Sequence, residues 1–255
     1  MHPLLRACLR PLRRLLPLLP RLLPPLLLAA GLAASLPAAA ENSPPIPVDL
    51  FALTHPVGQQ RLIESDYRQA YWSLANFFET QRNQAYCSVA SSVIALNALE
   101  VPRPQTSQYP DYPLFTQLAF FNKIDPALAD PDQVAVTGMT LRQLSQVLAN
   151  FPVKVESRYG SAMTADEFRT LLKDNLRYSD RVVLLNFDRK AMKELGGGHW
   201  SPLAAYHAPS DSVLVMDVAR YKYPPLWVPL KELHASALGI DSESGQSRGV
   251  LVVRK

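Results

Sequence analysis

The sequence predicts an α+β fold, because helical periodicity dominates the first half and strand patterns dominate the second. Segments with the spacing of buried or amphipathic helices cover residues 87–99, 140–151 and 164–176. Apolar segments typical of strands cover residues 181–187, 199–206, 212–218, 226–230 and 250–253. Helices followed by strands with short turns favour an antiparallel sheet over alternating parallel units.

The first predicted helix begins at Cys87, since the run from there to Leu99 is apolar or small at nearly every position. Pro102 and Pro104 prevent its continuation. The following residues, 102–136, are polar, aromatic and rich in proline, and we expect a long and mostly irregular segment there.

The next two helices are indicated by an apolar stripe and by a capping pattern. Leu141, Leu144 and Leu148 fall on one face of the second helix. Thr164 with Glu167 three positions later is typical of a capping box at the start of the third.

A hairpin is predicted around residues 208–211, whose Ala-Pro-Ser-Asp sequence is typical of a turn. If the turn is centred near Pro209, His199 and Asp217 lie on adjacent strands, about one diagonal step apart.

The first forty residues are predicted to be an export signal that is removed. Their basic part has no acidic residue, an interrupted apolar stretch covers residues 22–34, and small residues 38–40 suit cleavage. A retained membrane anchor is the alternative interpretation. We expect a periplasmic or secreted protein, with a leader and lobe edge at 41–76 and a catalytic domain at 77–255.

Removal of the signal changes the charge argument. The whole chain has 26 basic and 22 acidic side chains, and five of the basic ones are arginines of the signal, which leaves 21 against 22. The remaining protein is therefore not basic, and nothing in its charge indicates a nucleic-acid partner.

Cys87 is the only cysteine outside the signal, since Cys8 lies within it. A single thiol can form neither an intramolecular disulfide nor a thiolate cluster for a metal, so it is either a packing residue or a nucleophile. His199 follows three glycines, and Asp217 comes after it. The order Cys, His, Asp is the equipment of a cysteine acyl-transfer enzyme.

Each catalytic candidate has a definable role. The helix start and an imidazolium at His199 would favour the thiolate of Cys87, and Asp217 would orient the imidazole. The amide of Gln81 would join the Cys87 N–H in an oxyanion hole. Taken alone, Cys87 and His199 are more often structural residues, and Gln81 by itself indicates little, but their order and their predicted elements together favour catalysis.

These residues lie in longer runs that resemble the phytochelatin synthases, specifically their short bacterial members. The runs are Asn83–Cys87 followed by Ala90 and Ser91, residues 197–206, and residues 216–228. The resemblance implies a papain-like fold, with the nucleophile on an N-terminal helical lobe and the histidine and aspartate on a C-terminal antiparallel sheet. It assigns the triad to Cys87, His199 and Asp217, and the preceding glutamine to Gln81.

The resemblance also implies a reaction on glutathione, in which the Cys–Gly bond is cleaved, glycine leaves and a γ-glutamylcysteinyl thioester forms. Water or a second glutathione then accepts the acyl group. The chain lacks the cysteine-rich region that full-length eukaryotic members carry for metal response, so we expect mainly hydrolysis and weak phytochelatin synthesis. No resident cofactor is expected, and thiol-binding metal ions would enter as glutathione complexes.

A glutathione site needs an acid and an arginine, because the γ-glutamyl end carries an ammonium and a carboxylate. The substrate-binding candidates, some of them for the acceptor, are Tyr86, Gly198, Arg220, Lys222, Tyr223, Asp241 and Arg248.

Two other functions remain open on the sequence. One is a papain-like peptidase for double-glycine leader peptides, and the other is a non-catalytic exported module that binds thiols or metals. The sequence also leaves open whether the protein forms a homodimer and which glutathione derivative it meets.

Overall fold

The computed structural model describes residues 43–255. The predicted export signal, with Cys8, lies outside the described residues. Among residues 43–255, no helix combines the length and the apolar character that a membrane span requires.

The described residues form an α+β structure around one antiparallel sheet, as predicted. The helices are α1 (Pro56–Glu64), α2 (Gln69–Asn76), α3 (Cys87–Ala98), α4 (Pro131–Thr137), α5 (Leu141–Leu148), α6 (Ala165–Leu176) and α7 (Leu230–Leu238). The strands are β1 (Phe51–Ala52), β2 (Lys154–Tyr159), β3 (Arg181–Asp188), β4 (Gly198–His207), β5 (Ser212–Val215), β6 (Leu226–Pro229) and β7 (Gly249–Arg254). They are ordered β1-β6-β5-β4-β3-β7-β2, and every neighbouring pair is antiparallel.

Helix α3 is buried along its whole length and packs against β4. The small side chains of α3 allow this close packing. The buried hydroxyl of Ser92 donates a hydrogen bond to the carbonyl of Ser88 at 2.7 Å, so its proton has a partner. The helix begins at Cys87, as its sequence predicted. Its burial fixes the thiol against the strand that carries His199.

The hairpin β4–β5 has the predicted register from Leu203 and Val215 towards Asp217, a register shift between Leu203 and Ala205 nearer the turn, and a shorter second strand than predicted. Leu203 pairs with Val215, and the N–H of Met216 donates to the carbonyl of Pro202 at 2.9 Å, so the pairing extends towards Asp217. After Met216 the backbone leaves the sheet. There the N–H of Ala219 donates to the carboxylate of Asp217 at 2.7 Å, so a side chain and not a neighbouring strand is its acceptor.

Capping explains where two helices start. Thr164 and Glu167 form the predicted reciprocal capping box at α6, and Thr140 and Gln143 form another at α5. Both boxes satisfy backbone N–H groups that have no partner inside the helix.

Several elements were missed from the sequence. No helix or strand was predicted in the leader and lobe edge at 41–76, but that range contains β1, α1 and α2. In α1, Pro56 is tolerated because the first helical residue needs no N–H partner. Strand β2 escaped notice because it is an edge strand, and Lys154, Glu156 and Arg158 alternate along its exposed face.

Candidate active site

The loop before α3 is held in place at both ends. The N–H of Gln81 donates to the carbonyl of Val218 at 2.9 Å, which ties the loop to the residue after Asp217. The Asn83 side chain accepts from the N–H of Ala85 at 2.9 Å and so tightens the turn into the helix. Cys87 follows as the first helical residue, with 7% of its surface exposed.

His199 and Asp217 are in direct contact, as the hairpin register predicted. The Nε2 atom of His199 lies 2.8 Å from Oδ1 of Asp217, and both side chains are buried. The imidazole also packs edge-on against the ring of Phe187, at 5.4 Å between centroids. This arrangement fixes the ring plane and leaves Nδ1 for the thiol.

A buried arginine that the sequence did not reveal completes this group. The Nη2 atom of Arg189 lies 2.6 Å from Oδ2 of Asp217, and Nη1 contacts the carboxylate of Glu194. Both members of each ion pair are almost fully buried. Asp217 therefore has charged or polar partners on both carboxylate oxygens.

The electrostatics of the group favour a charged couple. Burial opposes ionisation of Asp217, but His199 and Arg189 outweigh it and lower the pKa of Asp217 to about 2. Burial likewise opposes protonation of His199, but the charge of Asp217 raises the pKa of His199 above its ordinary value.

The Cys87 thiol responds in the opposite sense. Burial alone would raise its pKa, but the charge and hydrogen bonding of His199 lower it, as do the backbone N–H groups of Trp200 and Ser88. The net pKa of Cys87 is below the ordinary thiol value. A thiolate at Cys87 beside an imidazolium at His199 is the nucleophile that acyl transfer needs.

One pocket joins the thiol to the predicted γ-glutamyl site. Its lining residues are Cys87, Thr137, Gly138, Met139, Thr140, Gly198, His199, Trp200, Asp241, Ser242, Glu243 and Arg248. The structure thus brings together the predicted nucleophile and base, and three of the predicted substrate-binding residues.

Arg248 lines this pocket and is held by two partners, Asp241 in the lining and Asn186 buried behind it. Its Nη1 atom donates to Oδ1 of Asn186 at 2.7 Å and to Oδ2 of Asp241 at 3.4 Å. Its Nε atom and the Nδ2 atom of Asn186 are buried without a hydrogen-bond partner among the described residues. The guanidinium packs on Gly198, where an added Cβ would come within 2.2 Å of it. Unpaired buried donors beside an acid suit a zwitterionic ligand.

Gln81 lies beside the turn that leads into α3, but its amide is already engaged. Its Nε2 atom donates to the carbonyl of Asn83 at 2.8 Å and to the hydroxyl of Tyr221 at 3.1 Å. Tyr221 was not singled out from the sequence, although it stands four residues after Asp217.

Tyr86 and Tyr223 lie outside the lining of the catalytic pocket. The hydroxyl of Tyr86 donates to the carbonyl of Pro131 at 3.4 Å. Tyr223 is buried, its ring lies under the guanidinium of Arg189, and its hydroxyl accepts from the N–H of Leu195 at 2.8 Å.

Arg220 and Lys222 also lie outside that lining. The Arg220 guanidinium stands 5.0 Å from the ring centroid of Phe78. The Nζ atom of Lys222 lies against Gly196, at 3.1 Å from the position that a Cβ would occupy. Within the described residues, no three His, Cys, Asp or Glu side chains are grouped as a metal site would require.

Comparison with known proteins identifies relatives over most of the chain. The sequence model described as phytochelatin synthase matches residues 42–250. Two relatives from Lotus japonicus, glutathione gamma-glutamylcysteinyltransferases 1 and 3, are 29% and 30% identical over 76% and 73% of this chain. Glutathione gamma-glutamylcysteinyltransferase 1 of Arabidopsis thaliana is 30% identical over 73% of it. The aligned parts span only 37%, 38% and 37% of those relatives.

Proposed function

The chain belongs to the phytochelatin synthase family, and we propose that it is a papain-like cysteine enzyme that cleaves glutathione to γ-glutamylcysteine and glycine. The observation that carries the proposal is the pocket in which Cys87 and His199 face the Asp241–Arg248 pair. The relatives' shared name, glutathione gamma-glutamylcysteinyltransferase, supports glutathione as the substrate.

Recognition of the γ-glutamyl end follows from charge. The carboxylate of Asp241 is suited to the ammonium group, and the guanidinium of Arg248, which lines the same pocket, is suited to the carboxylate. When the γ-glutamyl end is bound by Asp241 and Arg248, the Cys–Gly peptide bond lies towards Cys87, because these three residues line one pocket.

Acylation begins with the thiolate of Cys87 attacking the carbonyl carbon of the substrate cysteine. A C–S bond forms, and the π pair moves to oxygen as an oxyanion. When the oxyanion collapses, the C–N bond breaks and the imidazolium of His199 gives its proton to the departing glycine nitrogen. The products of this half-reaction are free glycine and a γ-glutamylcysteinyl thioester on Cys87.

Deacylation needs a second nucleophile. Neutral His199 takes a proton from water, the hydroxide oxygen attacks the thioester carbonyl, and the C–S bond breaks to release γ-glutamylcysteine and the Cys87 thiolate. If the thiol peptide glutathione attacks instead through its amino group, the product is the two-unit peptide.

We propose that hydrolysis predominates and that synthesis is weak. Water is present at about 55 M, so a peptide acceptor competes only if an organised site holds it. Two residues considered for that site already have other contacts: the hydroxyl of Tyr223 accepts from the N–H of Leu195, and the guanidinium of Arg220 lies over Phe78. We also propose that residues 1–40 direct export to the periplasm or outside the cell.

The test is product analysis with the purified protein and glutathione, by mass spectrometry, with Cys87→Ala alongside. Wild-type protein should release glycine and γ-glutamylcysteine, and a thioester of the γ-glutamylcysteinyl group should be trapped on Cys87 by acid quenching. Cys87→Ala should do neither while keeping its circular dichroism spectrum. Intact glutathione with wild-type protein, or turnover of double-glycine leader peptides instead, would contradict the proposal.

A further inference from the structure

The backbone around Gln81 is held by hydrogen bonds to two distant parts of the chain. The N–H of Gln81 itself donates to the carbonyl of Val218 at 2.9 Å. The peptide groups on either side of it bond to the side chain of one residue, Gln117. The carbonyl of Thr80 accepts from Nε2 of Gln117 at 3.0 Å, and the N–H of Arg82 donates to Oε1 of Gln117 at 2.9 Å. Gln117 therefore clamps the loop on both sides of Gln81.

The side chain of Gln117 is well suited to this clamp. A primary amide offers a donor and an acceptor on one planar group, so it can bond to a carbonyl and an N–H of the same backbone segment. Gln117 is 3% exposed, and water therefore does not compete for these bonds. It belongs to the irregular segment between α3 and α4, where no periodic pattern in the sequence points to it.

A second buried amide ties the same segment to the nucleophile helix. The Nδ2 atom of Asn97 donates to the carbonyl of Phe115 at 2.9 Å, and the N–H of Phe115 donates to Oδ1 of Asn97 at 3.1 Å. Asn97 is 2% exposed and lies on α3, the helix that begins at Cys87. Residues 115–117 are therefore bonded to α3 by one amide and to the loop of Gln81 by another.

We propose that Gln117 is a positioning residue for the cleavage of glutathione: it holds residues 80–82 so that Gln81 meets the oxyanion formed at Cys87, and Asn97 anchors it to the nucleophile helix. The inference rests on the proposed function, with Gln81 as oxyanion donor, and deepens it. Such a donor needs support of this kind, because a displacement of about 1 Å at a reacting centre costs roughly 10²-fold in rate.

The amide of Gln81 can take up this role by exchanging one partner. Its bond to the carbonyl of Asn83 lies within the loop, whereas its bond to Tyr221 at 3.1 Å ends on a side chain that is 47% exposed and can turn to water instead. As the Cys87 thiolate attacks, the carbonyl π pair becomes a lone pair on oxygen, and the freed N–H donates a hydrogen bond to it without transferring its proton. The pair returns to the carbonyl when the C–N bond breaks.

The first test is Gln117→Met, which keeps the length of the side chain and removes both the donor and the acceptor. We expect kcat for glycine release to fall roughly 10- to 10²-fold, because a displaced oxyanion donor loses its effect in the transition state. KM should change less than about twofold, since the proposed ground-state contacts at Asp241 and Arg248 are untouched. Steady-state kinetics with glutathione measures both values.

Asn175→Ala is the matched control for loss of stability. Asn175 is also a buried amide, 5% exposed, and it donates to the carbonyl of Leu171 at 2.7 Å within α6. Its removal should lower the free energy of unfolding and leave kcat at the wild-type value. A fall in kcat as large in Asn175→Ala as in Gln117→Met would mean that activity follows overall stability and not the clamp.

The second test combines Gln117→Met with Gln81→Ala. Because Gln117 acts through Gln81, its replacement in the Gln81→Ala background should change kcat by less than about twofold. Multiplicative losses of kcat in the double variant would show that Gln117 acts independently of Gln81 and would overturn the inference.

The third test is Gln117→Glu, a variant that keeps part of the clamp if Gln117→Met does not fold. An ionised carboxyl accepts from the N–H of Arg82 but cannot donate to the carbonyl of Thr80, whereas a protonated carboxyl does both. Burial and the neighbouring carboxylate of Glu79 would raise the pKa of the new carboxyl. The kcat of Gln117→Glu, divided by that of wild type at the same pH, should therefore rise as pH falls, and Gln117→Met should show no such recovery.

Two further results would overturn the inference: a normal kcat in Gln117→Met, or a kcat ratio for Gln117→Glu that does not depend on pH. Both require active wild-type protein. Failure of the proposed function is a different outcome, since wild-type protein would then release no glycine from glutathione.

Discussion

Arg189 binds the carboxylate of Asp217 on the oxygen that His199 does not use. The distances are 2.6 Å from Nη2 of Arg189 to Oδ2 and 2.8 Å from Nε2 of His199 to Oδ1. Arg189 therefore fixes the orientation of the Asp217 carboxylate, and that carboxylate fixes the orientation of the His199 imidazole. Arg189 and Glu194 therefore support the proposed catalytic group of Cys87, His199 and Asp217.

Replacing Arg189 by methionine should lower both stability and activity. The change removes the charge that compensates two buried carboxylates, and loss of one partner of a buried ion pair costs about 3–5 kcal/mol. Chemical denaturation measures the free energy of unfolding. Arg181→Met is the matched control, because its partner Asp180 is 59% exposed and this pair should contribute less than about 1 kcal/mol. An equal decrease in the free energy of unfolding in the two variants would show that the buried ion pairs of Arg189 contribute no more to stability than the surface pair of Arg181.

Gly198→Ala should weaken substrate binding without unfolding the protein. The new Cβ would come within 2.2 Å of the Arg248 guanidinium, which is the flexible end of a side chain and can move away. Loss of a charged hydrogen bond is equivalent to about 1.5–3 kcal/mol, so KM for glutathione should rise roughly 10- to 100-fold.

Gly197→Ala provides the control for this prediction. A Cβ at Gly197 would meet no other atom within 4 Å, so both KM and the melting temperature should stay at the wild-type values. If the two alanine variants raise KM equally, the effect comes from stiffening of the glycine loop and not from contact with Arg248.

The pH dependence of kcat/KM should be bell-shaped. In the proposed mechanism, the active form has Cys87 ionised and His199 protonated. Because the pKa of Cys87 is lowered, activity should persist to lower pH than an ordinary thiol would allow; because the pKa of His199 is raised, activity should be lost only above the ordinary histidine range.

Asp217→Asn should move the basic limb of that profile to lower pH. The negative charge of Asp217 raises the pKa of His199, so its removal lets the imidazolium lose its proton earlier as pH rises. Asp180→Asn, which alters an exposed carboxylate, should leave the limb in place. A basic limb that does not move in Asp217→Asn would mean that His199 is not the group that titrates there.

The ratio of products should depend on glutathione concentration. If hydrolysis predominates as proposed, water at about 55 M outcompetes a peptide acceptor, so γ-glutamylcysteine and glycine should dominate at low glutathione. The two-unit peptide should appear only at high glutathione, in small amounts. Chromatography of the products across a glutathione titration measures the ratio, and longer peptides that dominate at low glutathione would contradict the hydrolytic assignment.

Local pattern accounts for much of the fold. Small and apolar residues predicted the buried helix after Cys87, Thr164 with Glu167 predicted the start of α6, and the turn at 208–211 predicted the hairpin register that joins His199 to Asp217. Two of the elements that were missed, β2 and α1, lack such signals: β2 is polar because it lies at the sheet edge, and α1 starts at a proline. Residues adjacent in sequence set the local helix or strand propensity. Where that propensity is weak, packing against distant parts of the chain decides whether a helix or a strand forms.

The sequence by itself determined that Cys87, a histidine and an aspartate come in this order on a helix start and a hairpin, since these depend on residue type and short-range spacing. Only the tertiary structure decided which polar groups surround them. Tyr221 meets Gln81 across 140 residues, and Arg248 meets Asn186 across 62. No periodicity encodes such contacts, because they arise when strands and loops from distant parts of the chain are packed so that buried charges and donors find partners.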